Sequence, residues 1–178
     1  AKLAADCDAD VYVMAISGLA ALPPLMSLIG KGKRVALANK EAIVCAGASV
    51  MDAAARAGTE IIPVDSEHSA VFQCLAACGK DNASRIILTA SGGPFYSDAS
   101  VDLSCVTPER ALKHPTWNMG AKISIDSATM VNKGLEIIEA SRLFGMDEVD
   151  YVIHPESIIH SIVECKDNSS FALMSYPN

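Results

Sequence analysis

At 178 residues the chain is long enough to bury a real core, as one domain or as parts of two. Its 14 Lys and Arg against 21 Asp and Glu make it acidic, and no basic run or aromatic-basic interleaving appears, which argues against nucleic acid as a partner. Residues 11–30 match a membrane span in length, about 20 apolar residues, but they contain Ser17, Gly18 and Pro23-Pro24 and read better as strand, turn and helix, so no membrane is expected. No charged-then-apolar leader opens the chain, and it begins without Met, which reads as a fragment or a processed chain. Cys7, Cys45, Cys74, Cys78, Cys105 and Cys165 form no Cys-x-x-Cys pair and read as reduced, structural thiols.

The run V-Y-V-M-A-I, Val11 to Ile16, reads as a buried strand, followed by a helix from about Leu19 to Ile29. A strand from Arg34 to Ala38, a helix from Glu41 to Ala57 closed by Gly58, and a strand from Glu60 to Val64 complete β-α-β-α-β. Such a pattern favours a parallel sheet with right-handed crossovers. No Gly-rich dinucleotide turn follows the first strand, so a nucleotide's phosphate loop would lie upstream of Ala1. Beyond Asp65 the spacing predicts a helix from Ser69 to Cys78, a strand from Arg85 to Leu88 and the loop T-A-S-G-G-P-F. A long irregular segment from Tyr96 to Gly120 follows, of a length usually functional or disordered. A strand from Lys122 to Ile125, a helix from about Ala128 to Phe144, and strands over Tyr151 to Ile153, Ile158 to Cys165 and Ser170 to Ser175 close an α+β half. The expected fold class is α/β, with residues 1–64 the C-terminal part of a doubly wound, Rossmann-like domain and 65–178 an α+β catalytic domain.

V-D-S-E-H at Val64 to His68 ends an apolar run, and Asp65 and Glu67 two positions apart on extended backbone can share one hard cation. The bland alternative is a turn whose Asp or Ser caps the next helix. Ser91-Gly92-Gly93 can present backbone amides to an anion. Ser127 is placed to cap the helix after it, whose N-terminus attracts anions. Within that helix Thr129, Asn132, Lys133 and Glu136 form one polar stripe, while Val131, Leu135 and Ile138 can face the core. Ser91, Ser127, Asn132 and Lys133 suit a phosphate and Glu136 suits a metal, roughly 5 to 6 Å apart. His114 with Trp117 and Met119, in K-H-P-T-W-N-M-G, resembles a lid bearing one polar contact and apolar cover. His68, His154 and His160 are more ordinary turn or strand histidines.

V-D-S-E-H, T-A-S-G-G-P-F, H-P-T-W-N-M-G, K-I-S-I-D-S-A-T-M-V-N-K-G-L-E and I-H-P-E-S-I-I-H-S stand in order, with L-A-N-K-E at Leu37 to Glu41 ahead of them. Together they resemble the 1-deoxy-D-xylulose 5-phosphate reductoisomerase family over essentially the whole chain. The resemblance implies NADPH-dependent isomerisation and reduction to 2-C-methyl-D-erythritol 4-phosphate in the non-mevalonate isoprenoid pathway, assisted by Mg²⁺ or Mn²⁺. By motif it implies Asp65, Glu67 and Glu136 as metal ligands. Ser66, Glu67, Lys133, Glu136, His114 and Trp117 are implied as substrate contacts, with Ser91, Ser127 and Asn132 around the phosphate. Lys40, Glu67, His114 and Lys133 are implied as catalytic groups, and Ala15, Asn39, Lys40, Glu41, Met119 and Gly120 as cofactor contacts. A homodimer, and a bacterial cytosol or plastid stroma, follow from the same likeness.

The chain departs from that family pattern in lacking the N-terminal G-S-T-G-S-I-G loop and the helical C-terminal domain, and in placing Ala21 where A-I-x-G-x-x-G-L has its second Gly. The fragment alone is therefore expected to bind a phosphosugar without turning it over. From the residues alone, a metal-dependent phosphosugar aldolase or isomerase without redox chemistry, and a non-catalytic phosphosugar-binding module, stay open.

Overall fold

The computed structural model describes residues 2–98, 100–113 and 120–176. A short helix α1 (Lys2–Asp6) precedes β1 (Val11–Met14), and a 3-10 turn at Leu19–Ala21 leads into α2 (Leu22–Ile29). The two prolines of α2 lie in its first turn, where absent amides break no helical bond. β2 (Arg34–Leu37), α3 (Glu41–Ala57) and β3 (Glu60–Pro63) follow, and Gly58 closes α3 at φ 69, the left-handed region that favours glycine. The strands pair in parallel in the order β1-β2-β3.

Helices α2 and α3 cover one face of this sheet, burying Leu25, Ile29, Val35, Ile43 and Val50 completely or nearly so. β1 is thus buried on one face only. Tyr12 and Met14 point into the core, whereas Val11 and Val13 are exposed, so the continuous apolar run does not mark a strand covered on both sides.

The second half begins with α4 (Ser66–Cys78) and β4 (Ala83–Ala90). A 3-10 turn at Leu103–Cys105 and α5 (Pro108–Ala111) interrupt the long connection. Then come α6 (Ala121–Ala128), α7 (Val131–Phe144), β5 (Val149–Ile153), β6 (Ile159–Cys165) and β7 (Ser170–Met174). The second sheet runs β5-β4-β6-β7, with β4 and β5 parallel and the other pairs antiparallel. α4 packs across β6 and β7 while α7 lies against β5, enclosing Val71, Leu75, Ile86, Leu88, Phe144 and Val163. This is the α+β arrangement the sequence implies.

Three expectations fail. Residues 122–125 are helical, because the alternation of K-I-S-I is too short to fix a strand, and Lys122 pairs with Asp126 one helical turn on. The helix expected from about Ala128 to Phe144 starts only at Val131, since Met130 at φ 61 turns the chain and leaves Ala128 as the last residue of α6 and Thr129 as its C-cap. The apolar stripe of α7 does not form the expected core face: Val131 and Ile138 are exposed and Leu135 is half-buried, while Lys133, Glu136 and Glu139 are buried. The polar stripe packs inward because it meets charged partners rather than an apolar core.

The two sheets are joined through α3 and α7. A Cβ at Gly47 would lie 2.7 Å from the Arg142 Cβ, so the helices cross at a distance only glycine permits. Leu143 of α7 packs against both apolar clusters. Among the described residues no helix is long and apolar enough to cross a membrane.

Candidate active site

Asp65 occupies the N-cap of α4 with extended backbone (φ −52, ψ 133), and Glu67 lies in the first turn of that helix. The two carboxylates therefore converge through a strand-to-helix turn and not through alternation along one strand. The capping alternative is half realised: Asp65 stands at the cap but its side chain makes no capping bond. Glu136, in the middle of α7 and 1% exposed, completes the group. One carboxylate oxygen from each of Asp65, Glu67 and Glu136 lies within 4.8 Å of the others.

Two buried ammonium groups neutralise this cluster. Lys40, at the N-cap of α3, places Nζ 2.9 Å from Asp65 Oδ2 and 3.1 Å from Glu136 Oε1, and donates to Asn132 Oδ1 at 2.7 Å. Lys133 bonds Glu67 Oε1 at 3.0 Å and also Glu136 Oε2. Burial works against charge on both lysines, yet their carboxylate partners outweigh it and hold both pKa values above the ordinary range. Burial also opposes ionisation of Asp65, but the Lys40 ammonium keeps its carboxyl below the usual range. Burial and the adjacent Glu136 push Glu67 up to about 8. Three carboxyl groups beside two ammoniums make a hard-oxygen donor set that fits Mg²⁺ or Mn²⁺ once Glu67 releases its proton, as a carboxylate ligand must.

Main-chain anchors hold these groups in place. Ser161, fully buried on β6, donates to the Glu67 carbonyl at 2.9 Å, and Thr89 of β4 donates to the carbonyls of Ile159 and His160. His68 Nε2 meets the Glu136 carbonyl at 3.0 Å, Ser66 donates to Glu67 Oε2 at 2.6 Å, and Asn132 donates to Glu136 Oε1. Sequence reasoning missed Ser161 and Glu139. A serine between Ile159 and Val163 on the core-facing side of a strand was a signal for the first. The i+3 spacing from Glu136 was a signal for the second.

The carboxylates open onto a cleft of about 550 Å³ lined by Ser66, Ser91, Ser127, Asn132, Lys133 and His160 among others. Gly92 and Gly93 take φ 87 and 73, and a Cβ on Gly93 would lie 2.8 Å from the Ser127 carbonyl. The S-G-G loop is thereby pressed against the end of α6. Ser127 caps nothing; it belongs to the last turn of α6 and faces the cleft, so its expected place at the start of the next helix is corrected. Thr129 is exposed and leaves the stripe.

The expected cofactor contacts Ala15, Asn39, Glu41 and Gly120 do not line that cleft. Ala15 is exposed beyond the carboxyl end of β1. Asn39 donates to the carbonyls of Ile16 and Gly18 and accepts from the Ala42 amide, which ties the loops after β1 and β2 together. Glu41 pairs with Lys122 at 3.2 Å, and Gly120 is the exposed N-cap of α6. His114, Trp117 and Met119 fall outside the described residues. His154 Nε2 accepts from the amides of Ile158 and Ile159, a turn-forming role, and His160 pairs with Ser175 Oγ at 2.7 Å.

Comparison with known proteins places this geometry. Residues 61–144 match the model of the 1-deoxy-D-xylulose 5-phosphate reductoisomerase C-terminal domain, and residues 1–47 match the 1-deoxy-D-xylulose 5-phosphate reductoisomerase model. The reductoisomerase of Rhodopseudomonas palustris is 52% identical over 177 residues, 98% of this chain. The chain belongs to the 1-deoxy-D-xylulose 5-phosphate reductoisomerase family. The Gluconobacter oxydans reductoisomerase is likewise 52% identical over 94% of the chain. Among solved structures, a family member in complex with NADPH, fosmidomycin and magnesium superposes with a TM-score of 0.93 at 43% identity, covering 99% of this chain and 46% of its own. The Zymomonas mobilis reductoisomerase in complex with NADPH gives 0.87 at 49% identity, covering 98% of this chain and 45% of its own. The chain spans 44% and 41% of the two sequence relatives' lengths, less than half of each.

Proposed function

We propose that this chain carries the metal and phosphosugar half of an enzyme that converts 1-deoxy-D-xylulose 5-phosphate into 2-C-methyl-D-erythritol 4-phosphate with NADPH as reductant and Mg²⁺ or Mn²⁺ as activating ion. The observation that carries this reading is the convergence of Asp65, Glu67 and Glu136 on one point beside a cleft that also presents Ser91, Ser127, Asn132 and Lys133. The family relatives crystallised with NADPH and magnesium support the choice of cofactors. Residues 1–64 are read as the end of the nucleotide domain and 65–178 as the catalytic domain, in keeping with the two sheets and their separate cores.

A divalent ion held by the three carboxylates would supply Lewis acidity to adjacent carbonyl and hydroxyl oxygens of the sugar. NADPH would supply the hydride. Ser91, Ser127 and Asn132 hold the phosphate at a distance from the reacting carbons, so its binding energy fixes the sugar's position. Lys133, within reach of both Glu67 and Glu136, stands where a cation offsets negative charge developing on substrate oxygen. Lys40 links the carboxylates to the loop between β2 and α3, at the carboxyl end of the parallel sheet where open α/β folds take their ligands. Ala15, Asn39, Glu41 and Gly120 surround that end and are assigned to the cofactor side, with Met119; His114 and Trp117 are assigned to a substrate-covering segment.

Exposed Tyr151, Val152, Phe171 and Met174 on the outer strands of the second sheet support a homodimer built through it. The test is oxidation of NADPH, followed by absorbance, in the complete protein with 1-deoxy-D-xylulose 5-phosphate and MgCl₂. We expect substrate-dependent loss of signal, reduced at least about a hundredfold in kcat/KM by Glu136→Gln. We expect none from residues 1–178 alone. A complete protein that left NADPH unchanged would overturn the reading.

A further inference from the structure

We infer that Glu139 is a positioning residue for the carboxylate cluster, acting through His68 to fix the spacing between α4 and α7. The inference rests on the metal reading of Asp65, Glu67 and Glu136 given above. His68 is fully buried, and its Nε2 lies 3.0 Å from the main-chain oxygen of Glu136. A carbonyl oxygen only accepts, so Nε2 carries the hydrogen. Nδ1 then faces Glu139 Oε2 at 3.5 Å. These two atoms are the buried side-chain nitrogen and oxygen left without a hydrogen-bond partner among the described residues. Buried polar atoms without partners are costly, and two acceptors face to face repel unless one proton lies between them. Glu139 is 3% exposed and His68 fully buried, so a proton shared between Oε2 and Nδ1 is what satisfies both atoms.

The connection closes on itself: Glu139 of α7 holds His68 of α4, which holds the main chain of Glu136 one turn back on α7. His68 stands in the same first turns of α4 that carry Asp65 and Glu67. The pair therefore sets how far the two α4 carboxylates stand from the α7 carboxylate. Partners of this kind behind metal ligands commonly change affinity about 10- to 100-fold.

The complete protein, free of nucleotide and sugar, tests this by calorimetric Mn²⁺ titration and by nitrogen-15 spectra of the His68 ring. Glu139→Gln keeps a donor facing Nδ1 and should hold Mn²⁺ affinity within about twofold, whereas Glu139→Leu, similar in size but without a donor, should lose about 10- to 100-fold. The ring should show a protonated Nε2 and a hydrogen-bonded Nδ1 in the unaltered and Gln proteins, with the Nδ1 signature lost in the Leu variant. Leu at full affinity would overturn the inference. So would Gln weakened as severely as Leu is expected to be, which keeps the test decisive if the Leu variant does not fold. A second Mn²⁺ per chain that disappears with Glu139 would replace it with a metal site at Asp65, His68 and Glu139, the other clustered donor set. Absence of Mn²⁺ binding by the unaltered protein would sink the metal reading, and the ring spectra would then decide the pairing by themselves.

Discussion

Lys40 Nζ sits 3.1 Å from Glu136 Oε1, joining the N-cap of α3 to the middle of α7 across 96 positions of sequence. Both side chains are almost wholly buried, so water cannot replace either partner. Lys40→Met should leave Asp65 without its cation, and Glu136 with Lys133 alone, and cost about 3–5 kcal/mol, the usual penalty for breaking a buried pair from one side. Added Mn²⁺ should raise the melting temperature of this variant more than that of the unaltered protein. Equal melting temperatures without the ion would refute the ion-pair argument.

Glu136→Gln keeps the shape of the side chain and removes its charge. We expect Mn²⁺ affinity to fall at least about tenfold, because a hard dication prefers carboxylate oxygen to an amide. Calorimetry on the complete protein measures it, and an unchanged dissociation constant would remove Glu136 from the proposed ligand set.

The close crossing of α3 and α7 gives a third expectation. Gly47→Val would drive its side chain into the Cβ and Cγ of Arg142, which lie 2.7 and 2.9 Å from the ideal Cβ position. Overpacking of this kind costs about 1–3 kcal/mol. Since Lys40 rides on the same helix, Mn²⁺ binding should weaken as well. Chemical denaturation that showed no loss of stability would mean the helices separate freely.

Burial, helped by the nearby Asp65 charge, pushes Glu139 from 4.5 up to about 8. An acid with a higher pKa in the folded state holds its proton better when folded. Its stabilising share is full below pH 4.5, declines as pH rises through the interval, and is gone above about pH 8. The slope for one proton is at most about 1.4 kcal/mol per pH unit. Glu139→Gln should flatten stability against pH between these limits, leaving a residual slope from Glu67, which is also raised to about 8. Parallel curves for the two proteins would contradict the assignment.

Much of this could be read from residues alone, and the failures have a common cause. α3 begins at Glu41 and ends at Ala57 as expected, because its apolar spacing and its closing Gly58 agree. The three carboxylates, Asn132, Lys133, Ser91 and Ser127 meet at one cleft, as their chemistry suggested. What misled was local pattern where long-range charge decides. α7 turns Glu136, Lys133 and Glu139 inward because Lys40, Glu67 and His68 from other helices arrive to meet them, and no window of neighbouring residues contains those partners. α6 was misread for a simpler reason: two isoleucines flanking a serine look alike in a strand and in a short helix. The His68–Glu139 contact joins residues on separate helices, and their positions in sequence give no hint of it.

Leu143 packs against the apolar clusters of both sheets. One side chain thus belongs to two cores, beside a helix crossing that leaves no room for a Cβ at Gly47. Loosening either core strips contacts from the other and pulls Lys40 away from its carboxylates. Melting half of the molecule while the other half persists is therefore penalised, and heat should remove both sheets in a single cooperative endotherm.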